Sequence, residues 1–265
     1  MIIPKLPQHS PKATVEQTIG ITDVKVTYAR PSAKGRKIFG ELVPFGQVWR
    51  TAANAGSYIS FEAPVIINGT PVEAGQYALL SFPGPDEWRL ALNKTTRSIL
   101  FAPHDEQLDV LSITVPVEKC AFTETFTIAF DHLTTDAAVL AMSWENTRVA
   151  FTIEAPATEQ SLKNIDEALA EPDATPGNYH NAAALCLDRG VRLPQALEWA
   201  KHSVELEPKF FTVRTLSLLY AANGLKKEAI EAAKRSLEMS KAGGFDAFVK
   251  LNEDRIREWE AGVPA

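Results

Sequence analysis

The sequence has only two cysteines in 265 residues, Cys120 and Cys186, and neither belongs to a C-x-x-C or Cys/His ligand spacing. It therefore indicates neither a disulfide framework nor a zinc motif, and we predict no metal and no cofactor.

No apolar run is long enough to cross a bilayer, so we predict no membrane span. Residues 1–8 also lack the apolar segment of a signal peptide. Export nevertheless stays open beside a cytoplasmic location, because Met1 can be an initiator placed before a mature exported chain.

An excess of basic charge is absent as well, since the formal net charge is −6 at pH 7. A protein that neutralises nucleic-acid phosphates needs a basic face, so we predict no nucleic-acid partner. The contents of hydrophobic residues, 45%, and charged residues, 23%, are typical of a globular protein. The length permits two modest domains.

The first half of the chain has the two-residue periodicity of β-strands. Val24, Val26 and Tyr28 are apolar and alternate with Lys25 and Thr27, as in a strand with one buried face. Similar runs rich in β-branched or aromatic residues predict about nine strands in all. These further runs are Tyr58–Phe61, Gln76–Phe82, Trp88–Leu92, Leu108–Val115, Phe126–Phe130, Val139–Trp144 and Val149–Ile153.

Turn chemistry between these runs favours antiparallel pairing. Asn68-Gly69 separates two apolar runs and predicts a type I′ hairpin, because both residues tolerate a positive φ. Many short strands without intervening helices indicate a sandwich or barrel. We predict that residues 1–155 form an antiparallel, jelly-roll-like β-sandwich, and that the whole chain is an α+β multidomain protein.

After Pro156 the chain becomes rich in Ala, Leu, Glu and Lys, with apolar residues at helical spacing. Three small residues recur after 33 positions: Ala196, Ala200 and Ser203 correspond to Ala229, Ala233 and Ser236. A period near 34, with Gly190 and Gly224 between helices, resembles the tetratricopeptide repeat. We therefore predict a short helical repeat domain over residues 156–265, with a capping helix at Asp246–Trp259. Such a domain offers a surface for a protein partner.

The segment Arg30–Asn54 is unusual in this acidic protein, because it has five basic residues against one acidic residue, Glu41. One interpretation is a binding loop for a small anionic or carbohydrate ligand. Its arginines would bind anionic groups, Trp49 would stack, and Asn54 would hydrogen-bond. The candidate ligand-binding residues are Arg30, Arg36, Trp49, Arg50 and Asn54. The alternative is an ordered connection whose arginines cap strand ends and pair with scattered carboxylates.

Several blocks of the first half resemble the bacterial domain-of-unknown-function family 2911. They are Ser10–Ala13, Gln17–Gly20, Tyr28–Pro31, Gly35–Gly40, Leu42–Gly46, Val48–Asn54 and Ala74–Tyr77. Ala52 stands where the family block has glycine. The resemblance implies a β-sandwich-like domain, often in exported proteins of Bacteroidetes-type bacteria and sometimes followed by tetratricopeptide-like helices. It carries no assigned activity, but it favours the periplasm as the location.

Two other functions stay open beside a non-catalytic binding module. One is a carbohydrate-active hydrolase or lyase, in which His104, Asp105 or Asp131 supplies acid/base catalysis or metal ligation. No nucleophile elbow, H-E-x-x-H motif or phosphate loop supports it. The other is peptide binding by the helical repeats, for which the candidate residues are Asn181, Arg214 and Asn223.

Overall fold

The computed structural model describes residues 6–95 and 103–262. The chain divides into two compact units, residues 1–157 and residues 158–265. The first unit contains antiparallel sheets and the second contains six helices, so the chain belongs to the α+β class.

The β unit has ten strands within the described residues. They are β1 (Lys12–Ile19), β2 (Thr22–Ala29), β3 (Ser57–Phe61), β4 (Val65–Ile67), β5 (Thr70–Val72), β6 (Gly75–Pro83), β7 (Glu87–Asn93), β8 (Asp109–Pro116), β9 (Glu118–Asp131) and β10 (Ala137–Glu154). Six of them form one sheet in the order β1-β2-β3-β6-β7-β8, and four form another in the order β5-β4-β10-β9. The first sheet is a meander from which only the β4–β5 hairpin departs. A jelly-roll-like connectivity stays a prediction.

The two sheets bury a common apolar core. Val26, Ile59 and Leu90 of the six-stranded sheet and Leu140 and Phe151 of the four-stranded sheet belong to one cluster of buried side chains. Burial of such side chains is the main favourable term in folding, at about 25 cal/mol per Å² of apolar surface. The β unit is therefore a two-layer sandwich.

Local patterns predict several of these strands correctly. In β2 the side chains of Val24, Val26 and Tyr28 are buried while Lys25 is exposed, so the predicted alternation is confirmed. The predicted hairpin is also confirmed: Asn68 and Gly69 have φ values of 44° and 82° and connect β4 to β5.

The prediction of two separate strands near residues 139–153 was wrong, because β10 runs without a break from Ala137 to Glu154. The polar residues Glu145, Asn146 and Thr147 separate its two apolar halves. They form an irregularity in the pairing with β9, where the register shifts on both sides of Glu145 and the φ of Glu145 is 52°. A bulge of this kind continues a strand where the sequence pattern resembles a turn.

The second unit consists of α1 (Thr158–Ala170), α2 (Pro176–Arg189), α3 (Leu193–Leu206), α4 (Phe210–Ala222), α5 (Lys226–Gly243) and α6 (Asp246–Glu260). None of the described helices combines the length and the apolarity that crossing a membrane requires.

Helices α2 and α3 form a pair that α4 and α5 repeat. Ser203 of α3 donates a hydrogen bond to the carbonyl of Pro176 at the start of α2, at 2.8 Å. Ser236 of α5 donates one to the carbonyl of Phe210 at the start of α4, at 2.7 Å. The same contact thus recurs at the repeat spacing that the sequence shows. Helix α6 then packs on α5 through Ile256 and Trp259.

Candidate functional site

Residues 30–56 connect β2 to β3 and are attached to both sheets of the sandwich. Near the start of this connection, Ser32 pairs with Thr125 of β9 in the four-stranded sheet. Near its end, Trp49 pairs with Ser81 of β6 in the six-stranded sheet, through backbone hydrogen bonds of 2.7 and 2.9 Å. The connection therefore bridges the two layers and is held at two points.

Trp49 anchors the connection in the core. Its side chain is only 8% exposed. The ring lies 6.1 Å from that of Trp144 in a stacked arrangement and 6.0 Å from that of Trp88 edge to face. Its indole Nε1–H donates to the carbonyl of Ala52 at 3.0 Å. The predicted stacking surface of Trp49 is thus mostly occupied by other tryptophans of the protein.

The Arg50 loop, residues Arg50–Gly56, leaves the sheet after Trp49 and returns at Ser57. The amide of Ser57 closes it with a 3.1 Å hydrogen bond to the carbonyl of Arg50. The hydroxyl groups of Thr51 and Ser81 form a buried 2.6 Å hydrogen bond, and the Ser57 hydroxyl donates to the carbonyl of Thr51. The loop is therefore rigidly tied to β6.

The backbone of the Arg50 loop is strained. Thr51, Ala52 and Asn54 have φ values of 51°, 143° and 55°, in the range that favours glycine. Each such residue costs of order 1–3 kcal/mol and persists only where the surrounding contacts fix it. Ala52 has the least favourable conformation for a residue with a Cβ. The sequence resemblance implies a glycine at this position.

A cavity of about 360 Å³ lies beside this loop and is called the Arg36/Arg50 cavity. Its charged or polar lining residues are Ser10, Arg36, Gln47 and Arg50. The remaining lining residues are Pro31, Leu42, Val43, Pro44, Val48, Trp49, Ala52, Ala53 and Trp144. No acidic residue belongs to the described lining. The cavity thus has apolar and aromatic walls and two positive charges.

The Arg50 guanidinium has no partner among the described residues. It makes no ion pair there, and its Nε is buried without a hydrogen-bond acceptor. The side chain is half-buried. This burial lowers the pKa of the Arg50 guanidinium from its ordinary value, because desolvation disfavours the charged form. Partial burial of this charge has a desolvation cost, which an anion or another hydrogen-bond acceptor would offset.

Arg36 supplies the second charge and is held in place by the backbone. Its Nε donates to the carbonyl of Ala33 at 2.9 Å, and its Nη2 donates to that of Ser32 at 2.8 Å. These two bonds leave Nη1 for other acceptors, since a guanidinium has five N–H donors. The nearby carboxylate of Glu41 pairs with Lys37 at 3.5 Å.

The structure brings together three of the five residues predicted as a site, namely Arg36, Trp49 and Arg50. Arg30 lies elsewhere: its Nε and Nη2 donate to the carbonyl of Phe126 at 3.2 Å and to the hydroxyl of Thr127 at 2.8 Å. Arg30 therefore attaches the connection to β9, which is a structural role and not a ligand-binding one.

Asn54 lies on the other side of the Arg50 loop. Its Nδ2 donates to the carbonyl of Ser10 at 2.9 Å. It lines a neighbouring cavity and does not line the Arg36/Arg50 cavity.

Several lining residues were not predicted from the sequence. Trp144 lies in a run whose alternation predicts a side chain buried in the core. Its Nε1–H donates to the carbonyl of Glu124 at 3.2 Å. Ser10 and Gln47 have no sequence signal that separates them from ordinary loop residues. Leu42, Val43 and Pro44 lie within one of the blocks that carry the family resemblance, and that block is the one signal that could have indicated them.

The residues of the enzymatic alternative lie in separate local interactions. The Nε2 of His104 is 3.0 and 3.1 Å from the two carboxylate oxygens of Asp109, and both side chains are buried. Asp105 accepts a hydrogen bond from the amide of Gln107 at 3.0 Å and caps a 3₁₀ helix, Glu106–Leu108.

Asp131, the third residue of that alternative, pairs with Arg148 at 3.1 Å. In the described part of the chain, no group of three His, Cys, Asp or Glu residues is arranged to hold a metal ion.

Comparison with known proteins gives one match. The family described as "Protein of unknown function (DUF2911)" matches residues 10–153. The match covers the strands of the β unit and the Arg50 loop. No curated protein matches the chain, and no solved structure matches it.

Replacement of Arg30 tests its structural role. We expect Arg30→Ala to lower the free energy of unfolding by roughly 1–3 kcal/mol, because it removes two hydrogen bonds from a charged donor and leaves the carbonyl of Phe126 without that donor. Urea unfolding of the full chain measures the change. Lys34→Ala, in the same connection but with an exposed side chain, serves as the control and should change the value by less than about 0.5 kcal/mol. Equal effects of the two variants would contradict this role.

Replacement of Ala52 tests the strain in the loop. Ala52→Gly should raise the free energy of unfolding by about 1 kcal/mol, since relief of 1–3 kcal/mol of strain exceeds the 0.5–1 kcal/mol entropic cost of a glycine. Ala53→Gly is the matched control, because Ala53 has no positive φ, and it should lower the stability. The same unfolding measurement applies. A loss of stability in Ala52→Gly as large as in Ala53→Gly would show that the loop is unstrained.

Proposed function

Because the chain belongs to the DUF2911 family, whose description assigns no function, we propose a function from the geometry of the Arg36/Arg50 cavity. The β unit is a non-catalytic binding module for a small ligand with an anionic group, a carboxylate or a phosphate. The described lining contains no His, Cys, Asp or Glu that could serve as a general base or a metal ligand, which favours binding over catalysis.

The observation that carries the proposal is the unpaired guanidinium of Arg50. The protein has a net charge of −6, so carboxylates are plentiful, and yet none lies within ion-pair distance of Arg50 in the described residues. A half-buried charge without a protein partner has a desolvation cost. An anion would accept hydrogen bonds from the N–H groups of Arg50 and offset that cost. Hydrogen bonds between guanidinium and carboxylate or phosphate groups are among the strongest in proteins.

Arg36 and the aromatic walls support the same function. Two backbone carbonyls hold the Arg36 guanidinium, so little side-chain freedom is lost when it binds a ligand. Trp49 forms part of the cavity wall and positions Arg50. It offers little surface for the predicted stacking on a ligand. A volume of about 360 Å³ suits a small molecule and excludes a folded macromolecule.

The helical unit is proposed to be tetratricopeptide-like and to bind a protein partner. The equivalent contacts of Ser203 with Pro176 and of Ser236 with Phe210 support the repeat. Of the three predicted peptide-binding residues, Asn181 lines a groove between α1 and α2, and the Nε of Arg214 is buried without an acceptor. Asn223 instead donates to the carbonyls of Leu193 and Leu219.

An exported, periplasmic location is also proposed, with the cytoplasm as the alternative. Its support is the sequence resemblance to a family that often occurs in exported proteins. Fractionation of cells that produce the natural chain would separate the two locations.

Calorimetric titration of the full chain with two probes, inorganic phosphate and glucuronate, tests the anion site. We expect at least one probe to bind, and Arg50→Ala and Arg36→Ala each to weaken that binding about tenfold or more. The reason is that a hydrogen bond to a charged group contributes about 1.5–3 kcal/mol. Added salt should also weaken binding, because ions screen the two charges.

Lys34→Ala is the control, since it removes a positive charge from the same connection without altering the cavity lining. It should change the affinity less than threefold. The proposal fails if neither probe binds, or if Lys34→Ala weakens binding as much as Arg50→Ala does. Circular dichroism and the melting temperature establish that each variant is folded.

A further inference from the structure

A second cavity, of about 620 Å³, adjoins the first across the Arg50 loop and is called the Gln76 cavity. Its polar lining residues are Gln8, Thr27, Tyr28, Asn54, Tyr58 and Gln76, and its charged lining residue is Lys12. No acidic residue belongs to its described lining. It is thus rich in side-chain amides and hydroxyls, in contrast to the two guanidinium groups of the Arg36/Arg50 cavity.

The two cavities share their walls. Ala53 of the Arg50 loop lines both of them. The N-terminal segment also borders both, because Ser10 lines the Arg36/Arg50 cavity while Gln8 and Lys12 line the Gln76 cavity. Asn54 ties loop and segment together through its bond to the carbonyl of Ser10 and a 3.4 Å contact with Oε1 of Gln8. A ligand that follows this shared wall touches both cavities.

The wall between the cavities is rigid, which suits recognition of an extended ligand. The Thr51–Ser81 hydrogen bond, the Trp49–Ala52 hydrogen bond and the positive φ values fix the Arg50 loop in one conformation. Pre-organisation of this kind reduces the entropy lost on binding. The strain in the loop is maintained at the place where both cavities meet, which is typical of a functional segment.

The chemistry of the Gln76 cavity matches hydroxyl groups. Each amide both donates and accepts a hydrogen bond, as each hydroxyl group of a sugar does. The side chain of Gln76 is exposed and makes no hydrogen bond to another described residue, so its amide is available. The ring of Tyr58 adds an apolar surface for the C–H face of a sugar ring.

We propose that the ligand is an acidic saccharide of at least two rings. The carboxylate of a uronic acid residue binds Arg36 and Arg50, and the neighbouring ring occupies the Gln76 cavity. This inference rests on the proposed function, because it places the anionic group at the same two arginines. It adds the class of the ligand and a second subsite with its own residues.

The test compares glucuronate with a disaccharide that contains one glucuronate and one neutral hexose, by calorimetric titration of the full chain. The disaccharide should bind at least tenfold more tightly than the monosaccharide. In the double variant Thr27→Ala/Gln76→Ala, which changes two residues of the Gln76 cavity and none of the Arg36/Arg50 cavity, the affinity for the disaccharide should fall about tenfold, and that for glucuronate should stay within twofold. These changes correspond to the loss of two ordinary hydrogen bonds.

Gln17→Ala is the matched control, since it removes a glutamine side chain of β1 that lines neither cavity. It should change neither affinity. The inference is overturned if the disaccharide binds no more tightly than glucuronate, or if the double variant weakens both ligands equally.

Loss of the anion site and loss of the saccharide subsite give different binding results. Glucuronate binding that depends on Arg50 but gains nothing from the second ring leaves the anion site intact and removes the saccharide subsite. Absence of phosphate, glucuronate and disaccharide binding removes both. A neutral disaccharide that binds as tightly as the acidic one contradicts the role of the arginines in saccharide recognition.

Discussion

The backbone pairing of Trp49 with Ser81 is the contact on which the candidate site depends. It fixes the end of a long connection to the central strand β6, while the Trp49 ring fills the aromatic core between the sheets. Ser57, the first residue of β3, pairs with Leu79 of the same strand β6. The residues between Trp49 and Ser57 must therefore form a tight loop. That loop places Arg50 at one cavity and Asn54 at the other, and the strain it stores is offset by buried hydrogen bonds.

The strands of the sandwich could be predicted from the sequence where one face of a strand is buried and the other is exposed to solvent. Strand β2 and the Asn68-Gly69 hairpin have that signal. Strand β1 has a weaker signal: exposed and half-buried positions alternate along it, but none before Ile19 is fully buried, because it is an edge strand paired only with β2. In β10 a bulge at Glu145 has the composition of a turn, and only the partner strand β9 distinguishes the two.

The candidate site could be predicted only in part, for a different physical reason. An excess of basic residues in one segment predicts positive charges without carboxylate partners. Arg36 and Arg50 are such charges in the structure. Sequence does not reveal which backbone carbonyl each guanidinium reaches. Arg30 bonds to β9 and is thereby structural, while Asn54 ties the loop to the N-terminal segment. A tryptophan beside an arginine likewise gives no indication of whether its ring is a stacking surface or a core anchor.

An NMR titration of the arginine side-chain N–H signals with inorganic phosphate and, separately, with glucuronate reports whether Arg36 and Arg50 bind one anion. We expect the signals of Arg50 and Arg36 to shift together and saturate, because both guanidinium groups bind the same anion. The signal of Arg30 should stay unchanged, since Arg30 does not line the Arg36/Arg50 cavity. Signals of Arg50 that do not move with either anion, or that move no more than those of Arg30, would show that Arg50 binds no anion.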